Sequence, residues 1–135
     1  MSKSFIIGAS GLIGNALFTL LKSKSIDVFG TYSNNCEKEL IFFDMNQEDY
    51  SCFEAVKHDD IFFILSAYSN PSWIAQNKEV AEELNYTKTI KLINFLAEKK
   101  VRIIFMSSVE IFDGEKGQYS EDDLPSPLNF YGELK

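Results

Sequence analysis

The chain has 135 residues, of which 45% are hydrophobic and 14% aromatic, so it can form one folded domain with a sizeable core. Its 13 basic and 20 acidic residues give a net charge of −7 and no basic run longer than a lysine pair, which argues against nucleic acid or an anionic membrane as a partner. One histidine, His58, and two cysteines without C-x-x-C spacing, Cys36 and Cys52, provide too few ligands for a metal site, so none is predicted.

The sequence shows no pattern of a targeting or membrane segment. The first apolar run, Phe5-Ile6-Ile7, is far shorter than the apolar core of a signal peptide. No apolar run approaches the roughly 18 residues that a membrane-spanning helix needs. We therefore expect a cytoplasmic protein with reduced cysteines and no membrane partner.

A glycine-rich turn follows the first predicted strand and leads into a helix. The apolar run before Gly8 is typical of a buried strand, and apolar residues recur at helical spacing after Gly14. Glycines at 8, 11 and 14 suit a tight turn, a close approach of backbone to phosphates, and close packing of the helix on the sheet. Unpaired N–H groups at a helix N-terminus bind diphosphates, although a tight turn without a ligand is the alternative. The predicted cofactor-binding positions in this turn are Gly8, Ser10, Gly11, Leu12, Ile13 and Gly14.

The second predicted strand, residues 27–32, ends in a polar segment that bears on the choice of cofactor. In dinucleotide-binding folds an acidic residue about 20 positions beyond the glycines binds the ribose 2′-hydroxyl of NAD, whereas the 2′-phosphate of NADP repels a carboxylate. Residues 31–34 contain no acid, and the first carboxylate after them is Glu37. Thr31 and Ser33 are therefore predicted cofactor ligands, and NADP is favoured over NAD. A polar loop without this role is the alternative.

The third predicted strand, residues 40–45, is apolar up to Asp44 and is expected to be buried. An aspartate at the carboxyl end of a parallel strand lies at the edge where ligands bind, and there it can accept a hydrogen bond from adenine. Asp44 and Met45 are thus predicted cofactor-binding residues. The alternative role for Asp44 is to cap a following helix, which is expected from Glu48 to Lys57.

The fourth predicted strand, residues 61–67, is continuously apolar, as expected for the centre of a parallel sheet. Small side chains at its end leave room for a cofactor. Ser66, Ala67 and the next residue, Tyr68, are predicted to bind it.

A long helix is predicted after this strand. Asn70-Pro71-Ser72 is a helix-start pattern, and helical periodicity continues from Ile74 to about Lys99. Asn85 has low helix propensity in the middle of this segment, so it is predicted to make a specific hydrogen bond at the cofactor site. An exposed side chain is the alternative for Asn85.

A fifth predicted strand, residues 102–108, completes a regular alternation of strands and helices. This alternation predicts an α/β fold of the Rossmann type, a doubly wound parallel sheet of about five strands. Because parallel crossovers are right-handed, the expected strand order is 3-2-1-4-5.

A tyrosine and a lysine near the end of the chain form a candidate catalytic pair. Tyr131 and Lys135 are four residues apart and therefore share one face of a helix. A tyrosine has an ordinary pKa of about 10 and transfers protons poorly at neutral pH unless a cation stabilises its phenolate, which Lys135 can do. Ser107 and Ser108 end the fifth predicted strand at the edge of the sheet where ligands bind.

In the order of these motifs the chain resembles the extended short-chain dehydrogenase/reductase family, and within it the sugar-nucleotide branch typified by dTDP-4-dehydrorhamnose reductase. The resemblance extends over the whole chain and depends on several ordered stretches: Gly8–Gly14, Asp44-Met45, Ser66-Ala67, the helix with Asn85, residues 107–114, and residues 119–122 leading to 127–135.

The resemblance implies a role for each residue of the candidate catalytic group. Tyr131 would exchange a proton with a sugar oxygen. Lys135 would lower the pKa of Tyr131 and bind the nicotinamide ribose. Ser108 would hydrogen-bond the reacting oxygen, with Ser107 as its substitute. NADP or NAD would supply the hydride chemistry.

The pair Val109-Glu110 departs from the family pattern. Reductases of this branch commonly carry an Asp-Tyr pair after the catalytic Ser or Thr, whereas 4,6-dehydratases carry an Asp-Glu pair that acts as acid and base. Glu110 fits the dehydratase pattern, but a valine cannot transfer a proton. Dehydration is therefore not expected.

Length is the second departure, because the resemblance implies roughly another 150 residues in family members, including a domain that selects the sugar. We therefore expect residues 1–135 to be an incomplete NAD(P)-binding Rossmann domain, truncated before the last strands and the C-terminal substrate domain, and inactive by itself. A nucleotide sugar would bind only if a second domain completes the site. The exposed apolar edge at Ile103–Met106 predicts a homodimer through the fifth strand. The alternatives are a sugar-nucleotide epimerase and a non-catalytic NAD(P)-binding regulatory or partner module.

Overall fold

The computed structural model describes residues 2–34 and 36–135, which fall into two compact units. The first unit comprises the described residues of Met1–Ala67 together with Lys88–Met106, and it contains the β-sheet. The second unit comprises Tyr68–Thr87 and Ser107–Lys135 and consists of short helices, turns and loops.

The first unit is built on a five-stranded parallel sheet in the order β3-β2-β1-β4-β5. Its strands are β1 (Ser4–Ile7), β2 (Val28–Tyr32), β3 (Ile41–Phe42), β4 (Ile61–Ile64) and β5 (Arg102–Phe105). The predicted Rossmann-type order 3-2-1-4-5 is confirmed. The chain reverses its direction of winding between β1 and β4, which is the point at which open α/β sheets bind ligands.

An aromatic cluster, defined here as Phe5, Phe29, Phe53 and Phe62, packs against the three central strands. All four residues of β1 are buried, as its apolar run predicts. In the sheet register Phe5 lies opposite both Phe29 and Phe62, and its ring stacks on theirs at centroid distances of 5.3 Å and 4.6 Å. Phe53 meets Phe62 edge to face at 5.4 Å. These ring contacts hold β1, β2 and β4 together, and the predicted cofactor-binding turns follow these strands.

The helices are divided between the two units. They are α1 (Leu12–Ser23), α2 (Pro71–Gln76), α3 (Lys78–Glu82), α4 (Thr89–Glu98) and α5 (Phe130–Glu133). Of these, α1 and α4 lie in the first unit, and α2, α3 and α5 lie in the second. In α1, Phe18 packs against Ile6 and Ala9 at the end of β1. The start of α2 agrees with prediction, because Asn70 Oδ1 accepts a hydrogen bond from Trp73 N at 3.1 Å and Pro71 opens the helix. Within residues 2–34 and 36–135, every helix is too short or too polar to cross a bilayer.

The segment around residue 45 differs from its prediction. The buried strand expected over residues 40–45 is wrong, because β3 has two residues and both are exposed. The helix expected from Glu48 to Lys57 is also wrong, because a 3₁₀ turn at Ser51–Phe53 stands within that range, after another 3₁₀ turn at Met45–Gln47. Glu48 has a left-handed φ of 53°, which ends the first turn. Asp49 Oδ1 then accepts a hydrogen bond from Ser51 N and starts the second.

The single helix expected between Ile74 and Lys99 is instead α2, α3, a π-helix at Glu83–Lys88, and α4 in succession. Asn77, with φ −132°, separates α2 from α3, and its Nδ2 donates to the carbonyl of Trp73 at 2.8 Å. The long-helix prediction is therefore correct in type and wrong in continuity. The fourth and fifth strands also end three residues earlier than predicted.

β5 is an edge strand of the sheet and pairs with β4. Ile104 of β5 and the nearby Met106 are each 42% exposed. A homodimer formed through this edge stays a prediction.

Candidate functional site

The turn between β1 and α1 requires glycine at two positions. Gly8 has a φ of +88°, and a Cβ there would lie 2.9 Å from Ser66 N. A Cβ at Gly14 would lie 2.1 Å from Gly8 O, which is closer than non-bonded atoms come. Gly11 N donates to Gly8 O at 3.1 Å and closes the turn. The turn therefore brings bare backbone and the start of α1 to the carboxyl end of β1.

The N-terminus of α1 has the properties of an anion-binding site. Gly11 is its N-cap, and within the described segment 2–34 no side chain caps it and no acidic residue lies in its first turn. The first N–H groups of a helix lack partners within the helix, and the helix dipole favours negative charge there. The predicted residues Leu12 and Ile13 are exposed beside these groups. This end of α1 is thus suited to a phosphate group.

Thr31 lies beneath this turn and supports it. Its side chain is buried, and its Oγ1 accepts a hydrogen bond from Gly8 N at 3.1 Å. Ser33, by contrast, is exposed. Binding of the cofactor by these two residues stays a prediction, and the structure adds a supporting role for Thr31 that strand-end position alone did not indicate.

Replacing Thr31 tests this support. Thr31→Val removes the hydroxyl at nearly constant shape and leaves Gly8 N without its acceptor, so we expect the free energy of unfolding to fall by about 1–2 kcal/mol. Thr31→Ser keeps the hydroxyl and serves as the matched control. Chemical denaturation measures both variants, and equal losses in the two would show that the hydrogen bond does not support the turn.

Asp44 caps the 3₁₀ turn that follows β3. Its Oδ1 accepts hydrogen bonds from the backbone N and the side-chain Nδ2 of Asn46, at 2.9 and 3.0 Å. Met45 is buried behind it. The capping alternative for Asp44 is therefore observed on a shorter turn than the expected helix, while contact of either residue with adenine stays a prediction. Ser66 and Ala67 are half-buried at the end of β4, with Ser66 against Gly8.

In the second unit, Asn85 clamps the backbone of Tyr68. Asn85 is buried in the π-helix; its Oδ1 accepts from Tyr68 N and its Nδ2 donates to Tyr68 O, both at 2.8 Å. The exposed-side-chain alternative for Asn85 is thus wrong. The ring of Tyr68 lies 4.5 Å from that of Trp73. The specific hydrogen bonding predicted for Asn85 is therefore observed, and its partner is the main chain of Tyr68, which is itself a predicted cofactor-binding residue.

Ser108 ends the segment after β5 and caps the 3₁₀ turn Val109–Ile111. Its Oγ accepts a hydrogen bond from Glu110 N at 3.3 Å. Ser108 is half-buried, whereas Ser107 is exposed. The hydroxyl of Ser108 is therefore oriented by the turn it begins.

The structure brings Tyr131 and Lys135 together at α5. Lys135 Nζ lies 5.8 Å from the centre of the Tyr131 ring. Tyr131 and Tyr68 both pack against the apolar cluster that contains Ile74 and Leu134. Partial burial lowers the pKa of the Lys135 ammonium, because desolvation disfavours its charged form. The two side chains are therefore neighbours, and their acid–base role stays a prediction.

Two residues without a predicted site role hold α5 in place. Asn129 caps the helix, with its Oδ1 accepting from Gly132 N at 2.9 Å. A Cβ at Gly132 would lie 2.1 Å from Glu110 O. An asparagine just before a helical segment is an N-cap signal that sequence reasoning can find. The close approach at Gly132 has no comparable signal.

Known proteins resemble this chain over nearly all of its length. Methionine adenosyltransferase 2 subunit beta of Xenopus laevis is 29% identical, with 98% of this chain and 40% of that protein covered. A structure described as a hypothetical dTDP-4-dehydrorhamnose reductase from Sulfolobus tokodaii has a TM-score of 0.85 at 26% identity and covers 98% of this chain and 48% of that one. MoeE5 in complex with UDP-glucose and NAD has a TM-score of 0.82 at 28% identity, with 98% and 45% covered.

The chain spans less than half the length of each of these three proteins. The sequence profile described as the RmlD substrate binding domain matches residues 2–135. This match confirms the resemblance inferred from the order of the motifs. The chain therefore belongs to the RmlD substrate binding domain family.

Proposed function

We propose that this chain is the NAD(P)-binding part of a reductase that acts on a keto group of a nucleotide-linked sugar. The observation that carries the proposal is the turn from Gly8 to Gly14, which presents an uncapped helix N-terminus free of acidic residues within the described segment 2–34. A dinucleotide diphosphate is the ligand that such a turn binds at the switch point of a parallel sheet. MoeE5, a structural relative with NAD bound, supports the same ligand class.

The catalytic part of the proposal depends on the group around α5. Tyr131 gives its phenolic proton to the sugar oxygen, and the Lys135 ammonium stabilises the negative charge that remains on the phenolate oxygen of Tyr131. Ser108 donates a hydrogen bond to the same sugar oxygen. The nicotinamide, when bound, supplies the hydride.

We favour NADP over NAD as the cofactor. The exposed side chains of Ser33 and Asn34 follow β2, where a ribose phosphate would bind, and the Thr31 hydroxyl, which accepts from Gly8 N, keeps its own proton to donate. Ser33 and Asn34 can also donate hydrogen bonds to a phosphate, and neither repels it. A carboxylate in this position would favour NAD instead.

Titration of the cofactors tests the proposal. Trp73 is the single tryptophan of the chain, so its fluorescence reports binding of NADPH and of NADH separately. We expect quenching by both, with tighter binding of NADPH. Failure of both cofactors to bind would overturn the proposal.

The reductase step has its own test. Assayed as its gene encodes it, the protein should oxidise NADPH in the presence of a 4-keto sugar nucleotide. Tyr131→Phe should lower this rate by about 10²–10⁴-fold, the contribution of a positioned acid, while NADPH affinity stays unchanged. An unchanged rate would remove Tyr131 from the proposed mechanism.

A second candidate function is that of a non-catalytic NAD(P)-binding subunit. It is favoured by the similarity to methionine adenosyltransferase 2 subunit beta, a protein named as part of a larger enzyme. Cofactor binding without NADPH oxidation, together with stable association with a catalytic subunit, would support this candidate over the reductase.

A further inference from the structure

Glu110 connects the two parts of the proposed catalytic group. Its backbone N donates to Ser108 Oγ at 3.3 Å, and its carboxylate Oε2 accepts from Asn129 Nδ2 at 2.6 Å. Asn129 is the residue that caps the helix with Tyr131. One residue thus contacts the predicted hydroxyl donor directly and the predicted acid–base helix through its cap.

Both the oxygen and the nitrogen of the Asn129 side-chain amide make hydrogen bonds. Its Oδ1 accepts from Gly132 N at 2.9 Å, while its Nδ2 donates to Glu110. The bare Cα of Gly132 also faces the backbone carbonyl of Glu110, where a Cβ would come within 2.1 Å. The α5 helix is therefore fixed against Glu110 by a side-chain bond and by a close backbone contact.

These contacts with Glu110 are important for the position of α5 because the helix has four residues, Phe130–Glu133. A single helical turn gains too few internal hydrogen bonds to hold its own geometry. A hydrogen bond to a charged acceptor is stronger than a neutral one. The orientation of Tyr131 and Lys135 then depends on what the start of α5 is tied to.

We infer that Glu110 is a positioning residue, which holds the start of α5 through Asn129 and so keeps Tyr131 and Lys135 in the orientation that proton transfer requires. The inference rests on the proposed NAD(P)-dependent reductase function. It assigns the Glu110 carboxylate to a structural bond, in contrast to the acid–base glutamate of the dehydratase pattern.

Two substitutions at Glu110 separate positioning from acid–base chemistry. Glu110→Gln keeps an oxygen that accepts from Asn129 Nδ2, whereas Glu110→Met keeps the length of the side chain and removes the acceptor. Both variants retain the backbone N and O that contact Ser108 and Gly132. The bond to Asn129 is therefore the contact that differs between them.

Calorimetric binding of NADPH and of 2′-phospho-ADP-ribose, which lacks the nicotinamide, provides a readout that general destabilisation does not imitate. In Glu110→Met we expect NADPH binding to weaken about tenfold, the factor equivalent to one hydrogen bond to a charged group, and binding of 2′-phospho-ADP-ribose to be unchanged. Glu110→Gln should keep the NADPH affinity and the reductase rate of the unsubstituted protein. A Gln variant that binds NADPH normally but has lost the rate would overturn positioning in favour of acid–base catalysis.

A double variant in which the amide and the carboxylate exchange positions tests the hydrogen bond between residues 110 and 129. Asn129→Asp keeps the cap to Gly132 N but cannot donate to Glu110, so we expect a lower melting temperature and weaker NADPH binding. Adding Glu110→Gln to Asn129→Asp supplies the donor from the other side and should restore both. Additive losses in the double variant would overturn the inference. If the unsubstituted chain binds neither NADPH nor NADH, the reductase proposal fails, whereas the melting temperatures still decide whether Glu110 holds α5.

Discussion

Gly14→Ala is expected to destabilise the fold and to abolish cofactor binding together. The added Cβ would lie 2.1 Å from Gly8 O and 2.8 Å from Ala9 Cα, so α1 must move away from the end of β1. Forcing an atom into a packed backbone contact costs about 3 kcal/mol, and this displacement also misplaces the N–H groups that we propose to receive the diphosphate. Urea denaturation and NADPH titration measure the two effects.

Gly11→Ala is the matched control within the same turn. Its Cβ would meet Gly8 O at 3.3 Å, a contact that a shift of a few tenths of an ångström relieves. We expect the free energy of unfolding to change by less than about 1 kcal/mol, as for an ordinary exposed substitution, while NADPH binding is lost because the methyl group blocks the phosphate. Normal NADPH binding by Gly11→Ala would show that the diphosphate does not approach this backbone.

Phe62→Ala is expected to cause the largest loss of stability. Phe62 is fully buried, stacks on Phe5 with an interplanar angle of 7°, and meets Phe53 edge to face. Removal of a buried aromatic ring costs about 3–5 kcal/mol through lost apolar burial and the cavity that remains. Since small domains have a total stability of about 5–15 kcal/mol, this variant should be partly unfolded at moderate temperature. Thermal and chemical denaturation measure the change.

Phe42→Ala is the control for Phe62→Ala. Phe42 lies in β3 and is 48% exposed, so the same truncation should cost less than about 1.5 kcal/mol. Similar losses for Phe42 and Phe62 would show that the aromatic cluster does not dominate the stability of the sheet.

The sheet could be predicted from sequence because its central strands are continuous apolar runs. Residues 5–7 and 61–64 are hydrophobic on both faces of the sheet, which is a property of buried parallel strands. Their alternation with helices and the handedness of crossovers leave few strand orders, and the observed one was among them.

The segment after β3 could not be predicted in the same way. Phe43, Met45 and Phe53 are apolar at spacings that fit a strand followed by a helix, and all three are buried. The deciding feature is the left-handed backbone of Glu48, which a glutamate seldom adopts. Its carboxylate pairs with the ammonium groups of Lys88 and Lys91 from a distant part of the sequence, and these ion pairs hold the pKa of Glu48 below its usual range. Local propensity contains no information about such partners.

In the candidate site, too, the features set by local sequence could be predicted, and those set by distant contacts could not. The glycine spacing predicts the turn because each glycine answers a local backbone requirement. The proximity of Tyr131 and Lys135 agrees with the helical spacing of the two residues, although Lys135 lies beyond the last residue of α5. The bond from Asn129 to Glu110 joins residues 19 apart through a long loop, and only the folded structure shows it.

The helical segment Glu83–Lys88 is a π-helix. A π-turn contains one residue more than an α-turn, and such turns are often found at functional sites. One residue of an α-helix corresponds to a rotation of about 100°, so a relative that is purely α-helical here would be one residue shorter over this segment. Deleting a single residue between Asn85 and Thr89 would therefore convert this π-turn into an α-turn without breaking the helix. Sequence alignments should place a one-residue gap at this point, and its presence or absence would indicate which relatives share the Asn85 clamp.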